Sequence, residues 1–317
     1  ELRAEAGLRA RPRRSRETGF AVLAFGKLGG SELNFSSDVD LVYLHATDRG
    51  AVSNRPGALH RHAYAEALGR RLTAVLADAS HEGHVYRVDL RLRPEGGAGT
   101  ISHSLATADA YYQTRGATWE RLALIKARPV AGDIDLGKAL LRRVRPFVWG
   151  RPFGDAELRQ VLAMKQASDR GLAARGLTRR NVKLGRGGIR EIELVVQALQ
   201  LGSGGASAAL RARGSLEALE ALRSAKLLAA ADHDVLARAY LFLRDVENKL
   251  QMAHDSQTHV VPADEAEQRL LARRLGYADG AGLSAAELFA RDLAGHTDAV
   301  HRLFRERVAR VSAESAR

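Results

Sequence analysis

Three aspartates in the first third of the chain are the residues best suited to do chemistry. Asp38 and Asp40 stand two positions apart in the run DVDLVYLH, and Asp89 lies in HVYRVDLRLRP. Alternate residues of a strand project from the same face, so Asp38 and Asp40 would present their carboxylates together. Carboxylates on rigid strands suit Mg²⁺ or Mn²⁺, and two such ions about 4 Å apart can clamp the oxygens of an in-line displacement. We predict that these three aspartates form a two-metal catalytic site.

A glycine-rich turn precedes the aspartate pair and supplies groups that a phosphate needs. The turn follows an apolar run that reads as a buried strand, and it comprises Gly29, Gly30 and Ser31. Its bare backbone N–H groups and the serine hydroxyl could approach phosphate oxygens. Neither the G-x-G-x-x-G fingerprint of dinucleotide-binding folds nor the GK[ST] ending of a P-loop is present in this stretch. The order of strand, glycine–serine turn, short helix and DxD strand is the signature of nucleotidyltransferases.

Basic residues near these carboxylates are candidates for binding phosphate groups. Arg91 and Arg93 alternate with apolar residues and would share a strand face with Asp89. They could pair with phosphate oxygens, or they could neutralise the carboxylates. Lys126 could contribute a positive charge to the nucleotide site. Alternatively, Lys126 could form a surface ion pair with a nearby acid such as Glu120. The predicted nucleotide- or phosphate-binding set is therefore Gly29, Gly30, Ser31, Arg91, Arg93 and Lys126.

A second glycine-rich stretch, residues 185–188, precedes a helical pattern whose first turn carries Arg190 and Glu191. A helix amino terminus after such a loop can bind an anion, and Lys183 and Arg186 would assist. The alternative is a tight turn whose acidic residues favour the helix dipole.

The elements that must position these residues divide the chain into two parts. Apolar patterns predict strands over residues 19–26, 38–45 and 84–94. A helical stripe over residues 58–80 comprises Ala65, Leu68, Leu72, Val75 and Leu76. From about residue 104 onward the pattern is helical nearly to the end. We predict an α+β fold: an Arg-rich linker or helix end over 1–18, a nucleotidyltransferase (polymerase-beta-like) mixed sheet with helices over 19–146, and an all-helical bundle over 147–317.

Composition excludes several classes of function. The 317 residues include no cysteine, which rules out disulfides and thiolate-bound metals and fits a reducing cytoplasm. No stretch approaches the roughly 18 apolar residues of a membrane helix, and the start lacks a signal peptide's apolar core. The net charge of +12 suits an anionic partner, but only seven of the 49 basic residues are lysines and aromatic residues make up 5%. We therefore expect a cytoplasmic protein, a segment of a longer polypeptide, without a membrane or nucleic-acid partner.

Five long blocks of the sequence resemble the glutamine synthetase adenylyltransferase family (glutamate–ammonia-ligase adenylyltransferase). The blocks are FAVLAFGKLGGSELNFSSDVDLVYLH (20–45), YRVDLRLRPEGGAG (86–99), WERLALIKARPVAGD (119–133), NVKLGRGGIREIELVVQALQL (181–201) and YLFLRDVENKLQMAHDSQTHVVP (240–262). Members of this family carry two homologous nucleotidyltransferase halves with opposed activities. The patterns GGSELNFSSDVDL and KLGRGGIREIE resemble the amino-terminal half, whereas the other half typically reads ELGYGSDLDL with GGxxDIEF.

The resemblance implies a specific reaction and specific partners. The amino-terminal half removes AMP from a tyrosine of glutamine synthetase by phosphorolysis and releases ADP, whereas the other half attaches AMP from ATP. Asp38, Asp40 and Asp89 would bind the metals, and ATP, ADP, phosphate and the PII signal protein would be partners. Two alternatives stay open: an enzyme of the same fold that acts on RNA ends or a small molecule such as an aminoglycoside, and a non-catalytic module that senses PII.

Overall fold

The computed structural model describes residues 19–53, 56–79, 81, 83, 85–254, 256–280 and 282–314. The predicted Arg-rich segment over 1–18 lies outside the described residues. The chain forms two compact units. One comprises the described part of Glu1–Leu33 together with Ser37–Arg151, and the other comprises Asn34–Ser36 together with the described part of Pro152–Arg317.

The first unit is built on a mixed five-stranded sheet. Its strands are β1 (Phe20–Ala24), β2 (Val39–His45), β3 (Val88–Asp89), β4 (Ser102–Ser104) and β5 (Arg128–Gly132). Strand β1 lies between β2 and β5 and runs antiparallel to both. All five residues of β1 are buried, as a continuous apolar run predicts, and the strands expected over 19–26 and 38–45 are confirmed.

Two short strands complete the other edge of β2. Strand β3 pairs in parallel with Val39 and Asp40, and β4 pairs in parallel with the last three residues of β2. Of the strand predicted over 84–94, only Val88–Asp89 is a strand in the described residues, so the prediction is wrong for residues 85–87 and beyond Asp89. The chain turns instead, because the Asp89 side chain accepts the Arg91 N–H at 2.8 Å and the Arg93 N–H donates to the Leu90 carbonyl at 3.3 Å.

Five helices accompany this sheet: α1 (Gly26–Gly29), α2 (Arg61–Ala77), α3 (Leu105–Thr114), α4 (Thr118–Ile125) and α5 (Ile134–Arg143). Helix α2 buries Ala65 against the apolar side chains of β1 and β2, and three leucines of its predicted stripe pack on the same core. Val75 does not join them and is 64% exposed. It lies about 80° around the helix axis from Ala65, at the edge of the stripe.

Strands β4 and β5 were not predicted from the sequence, whose pattern is helical from about residue 104. Strand β4 reads Ser-His-Ser and has no apolar alternation, although its three residues are buried. Strand β5 contains Pro129, which is tolerated because β5 lies at the sheet edge, next to a register shift between Val22 and Leu23.

The second unit is helical, as expected for the carboxy-terminal part. Its helices are α6 (Asp155–Ala173), α7 (Ile189–Ser203), α8 (Ser215–Ser224), α9 (Ala230–His254), α10 (Glu265–Arg274) and α11 (Ala285–Glu314). Helix α11 packs on α7, α9 and α10, and the core of the unit includes the fully buried side chains of Ile192, Leu219 and Phe289. No helix of the described residues has both the length and the apolar character needed to cross a bilayer.

Candidate active site

The predicted carboxylates meet at the start of β2. Asp40 and Asp89 are direct register partners across the parallel pair β2–β3. Register partners project from the same face of strands about 4.8 Å apart, and Asp38 precedes Asp40 by two residues. All three residues are partly exposed. The structure thus places Asp89 beside Asp40, from which it is distant in the sequence, although the oxygens of all three aspartates do not converge within 4.8 Å of one another.

Two arginines neutralise this acidic face. Arg87 Nε donates to Asp38 Oδ1 at 2.8 Å, and Arg91 donates to both oxygens of Asp89 at 2.5–3.0 Å. The Arg91 hydrogen bonds hold the pKa of Asp89 below its usual range. The same bonds raise the pKa of Arg91, and the negative charges of Asp40 and Asp38 add to that rise. The Arg91 guanidinium therefore lies in the electrostatic field of all three aspartates.

Gly26 lies directly behind Asp40, and the sequence analysis missed it. Its φ is +52°, and a Cβ at this position would come within 2.2 Å of Asp40 Oδ2. Position 26, two residues after the end of β1, therefore requires glycine. Its backbone is left-handed, and the Asp40 carboxylate fills the space that a side chain would occupy. The signal in the sequence was the glycine that follows the apolar run FAVLAF.

The Gly29–Gly30–Ser31 turn differs from its prediction. The short helix α1 precedes the turn rather than following it, and the three backbone N–H groups donate to carbonyls within this segment at 2.8, 3.0 and 3.2 Å. These N–H groups are therefore not bare, because the helical turn uses them itself. Ser31 is exposed, and its backbone is left-handed with a φ of +60°.

Lys126 is buried, with 6% of its surface exposed, and its Nζ donates to Glu32 Oε2 at 2.8 Å. The alternative of a surface ion pair with Glu120 is wrong. Glu120 accepts the Ala117 N–H at 2.7 Å at the start of α4, and burial raises the pKa of its carboxyl. The ion pair between Lys126 and Glu32 connects the residue just after α4 to the residue that follows the glycine-rich turn.

A second tie to the same turn comes from Arg128. Its guanidinium donates to the carbonyl groups of Leu28 and Gly29 at 2.9–3.3 Å. Gly29 itself is enclosed, because a Cβ there would lie 2.2 Å from the Lys126 carbonyl oxygen. Glycine is required at position 29 by close packing of backbone against backbone.

Arg93 serves its own loop. The residue is 9% exposed, and its guanidinium donates at 2.7–3.3 Å to carbonyl groups of Leu90, Gly97, Gly99 and Thr100. The turn after Leu90 removes Arg93 from the strand face that it was expected to share with Asp89. Its bonds indicate a role in holding the glycine-rich loop rather than in binding phosphate.

The middle of the loop between β1 and β2 belongs to the second unit. The Asn34 amide donates to Glu247 Oε2 at 2.7 Å and accepts from Arg244, and the Phe35 N–H donates to Asn248 Oδ1 at 3.2 Å. Glu247 is completely buried. Nothing in the sequence indicated this attachment, which joins residues more than 200 positions apart.

The second glycine-rich stretch, residues 185–188, forms a tight turn, which is the alternative to an anion-binding loop. Gly187 has a φ of +69°, and a Cβ there would lie 1.8 Å from the Thr297 carbonyl oxygen. Arg186 pairs with Asp298 of α11. Glu191 is 1% exposed, and its carboxylate contacts a lysine of α6 and a histidine of α11. The turn therefore packs the start of α7 against its neighbours.

Comparisons with known proteins bear on both units. Residues 2–143 match the family model described as glutamate–ammonia ligase adenylyltransferase, and residues 157–308 match that described as GlnD PII-uridylyltransferase. A bifunctional glutamine synthetase adenylyltransferase/adenylyl-removing enzyme of Stenotrophomonas maltophilia is 49% identical over 84% of this chain. Enzymes of the same description from Rhizobium meliloti and Xanthomonas campestris are 41% and 47% identical over 85% and 81% of it.

Residues 2–143 thus match the glutamate–ammonia ligase adenylyltransferase family, and most of the chain is similar to its bifunctional members. The predicted resemblance is thereby confirmed. The chain spans 27–28% of the length of these relatives. The three aspartates and the arginines paired with them fall within the segment that matches the adenylyltransferase model.

Proposed function

We propose that this chain is a metal-dependent nucleotidyltransferase that acts on glutamine synthetase. In the proposed reaction it removes AMP from an adenylylated tyrosine by phosphorolysis. The observation that carries the proposal is the parallel pairing of Asp40 with Asp89, with Asp38 two residues away. The names of the relatives support glutamine synthetase as the substrate. We assign the sheet to the polymerase-beta-like nucleotidyltransferase class as part of this proposal.

The residues of the site fit Mg²⁺ or Mn²⁺. Asp40 and Asp89 on adjacent strands and Asp38 just before β2 offer the hard oxygen donors that these ions prefer, and all three are partly exposed. Two of them are paired with guanidinium groups, which a bound ion would displace from the carboxylates. When bound at Asp38, Asp40 and Asp89, such ions would stabilise negative charge on the attacking and leaving oxygens.

The reaction requires one bond to form and one to break. A phosphate oxygen attacks the phosphorus of the adenylyl group, the bond from phosphorus to the tyrosine oxygen breaks, and ADP and a phenolate result. A free tyrosine has a pKa near 10, so the departing phenolate needs stabilisation by positive charge. Arg91 is suited to hold the phosphate, because its side chain is 81% exposed and can leave Asp89 without disturbing packing. The Ser31 hydroxyl is a second candidate donor.

The direction of the reaction rests on the sequence blocks GGSELNFSSDVDL and KLGRGGIREIE, which resemble the adenylyl-removing half of the family. The relatives are named for both activities, so attachment of AMP from ATP is the competing direction. A PII signal protein is the proposed regulatory partner, because residues 157–308 match the PII-uridylyltransferase model. Glutamine synthetase as the substrate makes the cytoplasm the proposed location.

The test is to incubate the whole chain with adenylylated glutamine synthetase, inorganic phosphate and Mg²⁺, and to measure ADP. We expect ADP release that requires phosphate and is abolished by Asp40→Asn. The matched control is Asp78→Asn, which removes an exposed carboxylate at the end of α2 and should leave the rate unchanged.

Two results would overturn parts of the proposal. Absence of ADP from a preparation that binds Mg²⁺ and nucleotide would refute phosphorolysis. Faster incorporation of AMP from ATP into unmodified glutamine synthetase than release of ADP would reverse the proposed direction while leaving the carboxylate centre in place.

A further inference from the structure

A second group of metal-ligating side chains lies at the carboxyl-terminal end of β2. His45 Nε2 lies 2.8 Å from Asp48 Oδ1, and His62 Nδ1 lies 3.2 Å from the same oxygen. One ligand atom from each residue lies within 4.8 Å of the other two. Among the histidine, aspartate and glutamate side chains that the structure describes, these three form the group whose ligand atoms converge within that distance. We propose that His45, Asp48 and His62 bind Zn²⁺ or a similar transition-metal ion.

The donor set selects the class of ion. Two imidazole nitrogens and one carboxylate oxygen are the ligands of zinc sites that keep a fourth position for water. Zinc lies about 2.0–2.2 Å from each of these atoms, so tetrahedral ligands stand about 3.3 Å apart. The observed separations of 2.8 and 3.2 Å from the carboxylate oxygen lie within about 0.5 Å of that value, and the two imidazole nitrogens lie within 4.8 Å of each other. Mg²⁺ prefers oxygen donors and would compete poorly.

The surroundings hold the ligands in place, as the outer contacts of metal sites do. His45 is buried at the end of β2, and its other ring nitrogen, Nδ1, lies 2.9 Å from the Oγ of buried Ser102. With Nε2 bound to a metal, Nδ1 would carry the ring proton and donate a hydrogen bond to the Ser102 hydroxyl. The second oxygen of Asp48 accepts from Thr107 Oγ1 at 3.2 Å. His62 is fixed by its position in the first turn of α2.

This site is distinct from the proposed catalytic carboxylates. His45 follows Asp40 by five residues along β2, which corresponds to about 16 Å along a strand. The ion would join the end of β2, the following loop and the start of α2 at one point. The proposal assigns metal binding at this point and does not depend on the reaction assigned to the other end of the strand.

The experiment uses the whole chain, free of any affinity tag and treated with chelator, in an excess of Mg²⁺. Calorimetric titration with Zn²⁺ should show one tight equivalent per chain, and Co²⁺ should give the visible absorption of a low-coordinate site. Substituting outer contacts of metal sites weakens binding by about 10- to 100-fold. Loss of a ligand in His62→Ala or Asp48→Asn should therefore weaken Zn²⁺ binding by more than about 100-fold. Zn²⁺ should also raise the melting temperature of the parent chain but not of these variants.

Two controls separate this site from other sources of binding. His60→Ala removes an exposed histidine two residues from His62, and Asp40→Asn alters the carboxylate centre; both should retain tight Zn²⁺ binding. Thiolates cannot contribute, because the chain has no cysteine. Failure of the parent chain to bind one equivalent, or equal binding by folded His62→Ala, would overturn the proposal and leave the three residues as a hydrogen-bonded anchor.

Discussion

Gly26 and Asp40 are packed so closely that the glycine admits no side chain, because a Cβ would lie 2.2 Å from the Asp40 carboxylate. The left-handed backbone of Gly26, with φ at +52°, adds a second constraint. The turn that leaves β1 thus determines where one of the three candidate metal ligands lies. The glycine at the start of α1 acts on the proposed chemistry through its contact with Asp40.

Gly26→Ala should therefore displace the Asp40 carboxylate. We expect ADP release to fall by at least about 100-fold, since small misplacements of reacting groups cost that much. The affinity for Mg²⁺ or Mn²⁺ should fall with it. The free energy of unfolding should drop by about 1–3 kcal/mol, because alanine is strained at this φ. Steady-state kinetics, ion titration and urea unfolding measure the three effects.

Gly50→Ala is the matched control for this substitution. Gly50 also has a positive φ, +78°, but a Cβ there would meet nothing within 4 Å. It should lose similar stability and retain activity. Full activity in Gly26→Ala would contradict the assigned role of the Gly26–Asp40 contact.

The carboxylate centre could be predicted from sequence because its signals are local. An apolar run marks β1, and Asp38 and Asp40 stand two apart in the next run, so β1 and β2 follow directly. The alternation around Asp89 located the residue on a strand facing the others, although the strand is only two residues long. The turn that ends it depends on a hydrogen bond from the Arg91 N–H to the Asp89 side chain, which alternation does not report.

The contacts around the centre could not be predicted, because they join residues that are distant in the chain. Lys126 pairs with Glu32, which lies 94 positions away, whereas the sequence offered only the nearby Glu120 as a partner. Within the second unit, Asn34 likewise pairs with Glu247 across 213 positions. Neither pairing leaves a periodic or compositional signal, since each partner is an ordinary polar residue within its own segment.

Arg91→Gln tests the proposal that this arginine serves both Asp89 and the phosphate. The KM for phosphate should rise about 10-fold, corresponding to the loss of about 1.4 kcal/mol of charge-assisted binding. Stability at neutral pH should change little, because the Arg91 side chain is 81% exposed and exposed ion pairs contribute little. An unchanged KM for phosphate would show that Arg91 only neutralises Asp89. Arg70→Gln, which removes another exposed arginine paired with a carboxylate, is the control.

Breaking the Lys126–Glu32 pair should be costly, because it removes a counter-charge 2.8 Å away from a side chain that is largely shielded from water. Lys126→Met should lower the free energy of unfolding by about 3–5 kcal/mol, and the double variant with Glu32→Leu should recover most of that loss. Chemical denaturation of the two single variants and the double variant measures the recovery.

The double variant also decides what Lys126 does. We expect turnover to recover together with stability, since the pair holds the glycine-rich turn in place. Recovered stability without recovered turnover would show that the Lys126 ammonium contacts the nucleotide directly.

His103 should make the first unit sensitive to mild acid. The residue lies on β4 with 5% of its surface exposed, its Nδ1 is buried without a hydrogen-bond partner, and burial lowers the pKa of the ring. A lowered pKa means that the unfolded chain takes up a proton before the folded one. The stability contributed by neutral His103 is therefore complete above about pH 6.5 and is lost as the pH falls through the folded pKa.

His103→Phe should remove this dependence. Charges near His103 act in both directions, since Glu95 and Glu66 favour its protonation while Arg93 and His45 oppose it, so burial remains the main cause. Urea unfolding between about pH 7 and pH 5 should show a shallower loss of stability in the variant, by at most about 1.4 kcal/mol per pH unit. The exposed His60→Gln should keep the slope of the parent chain. Parallel slopes for His103→Phe and the parent would mean that the buried ring does not govern acid unfolding.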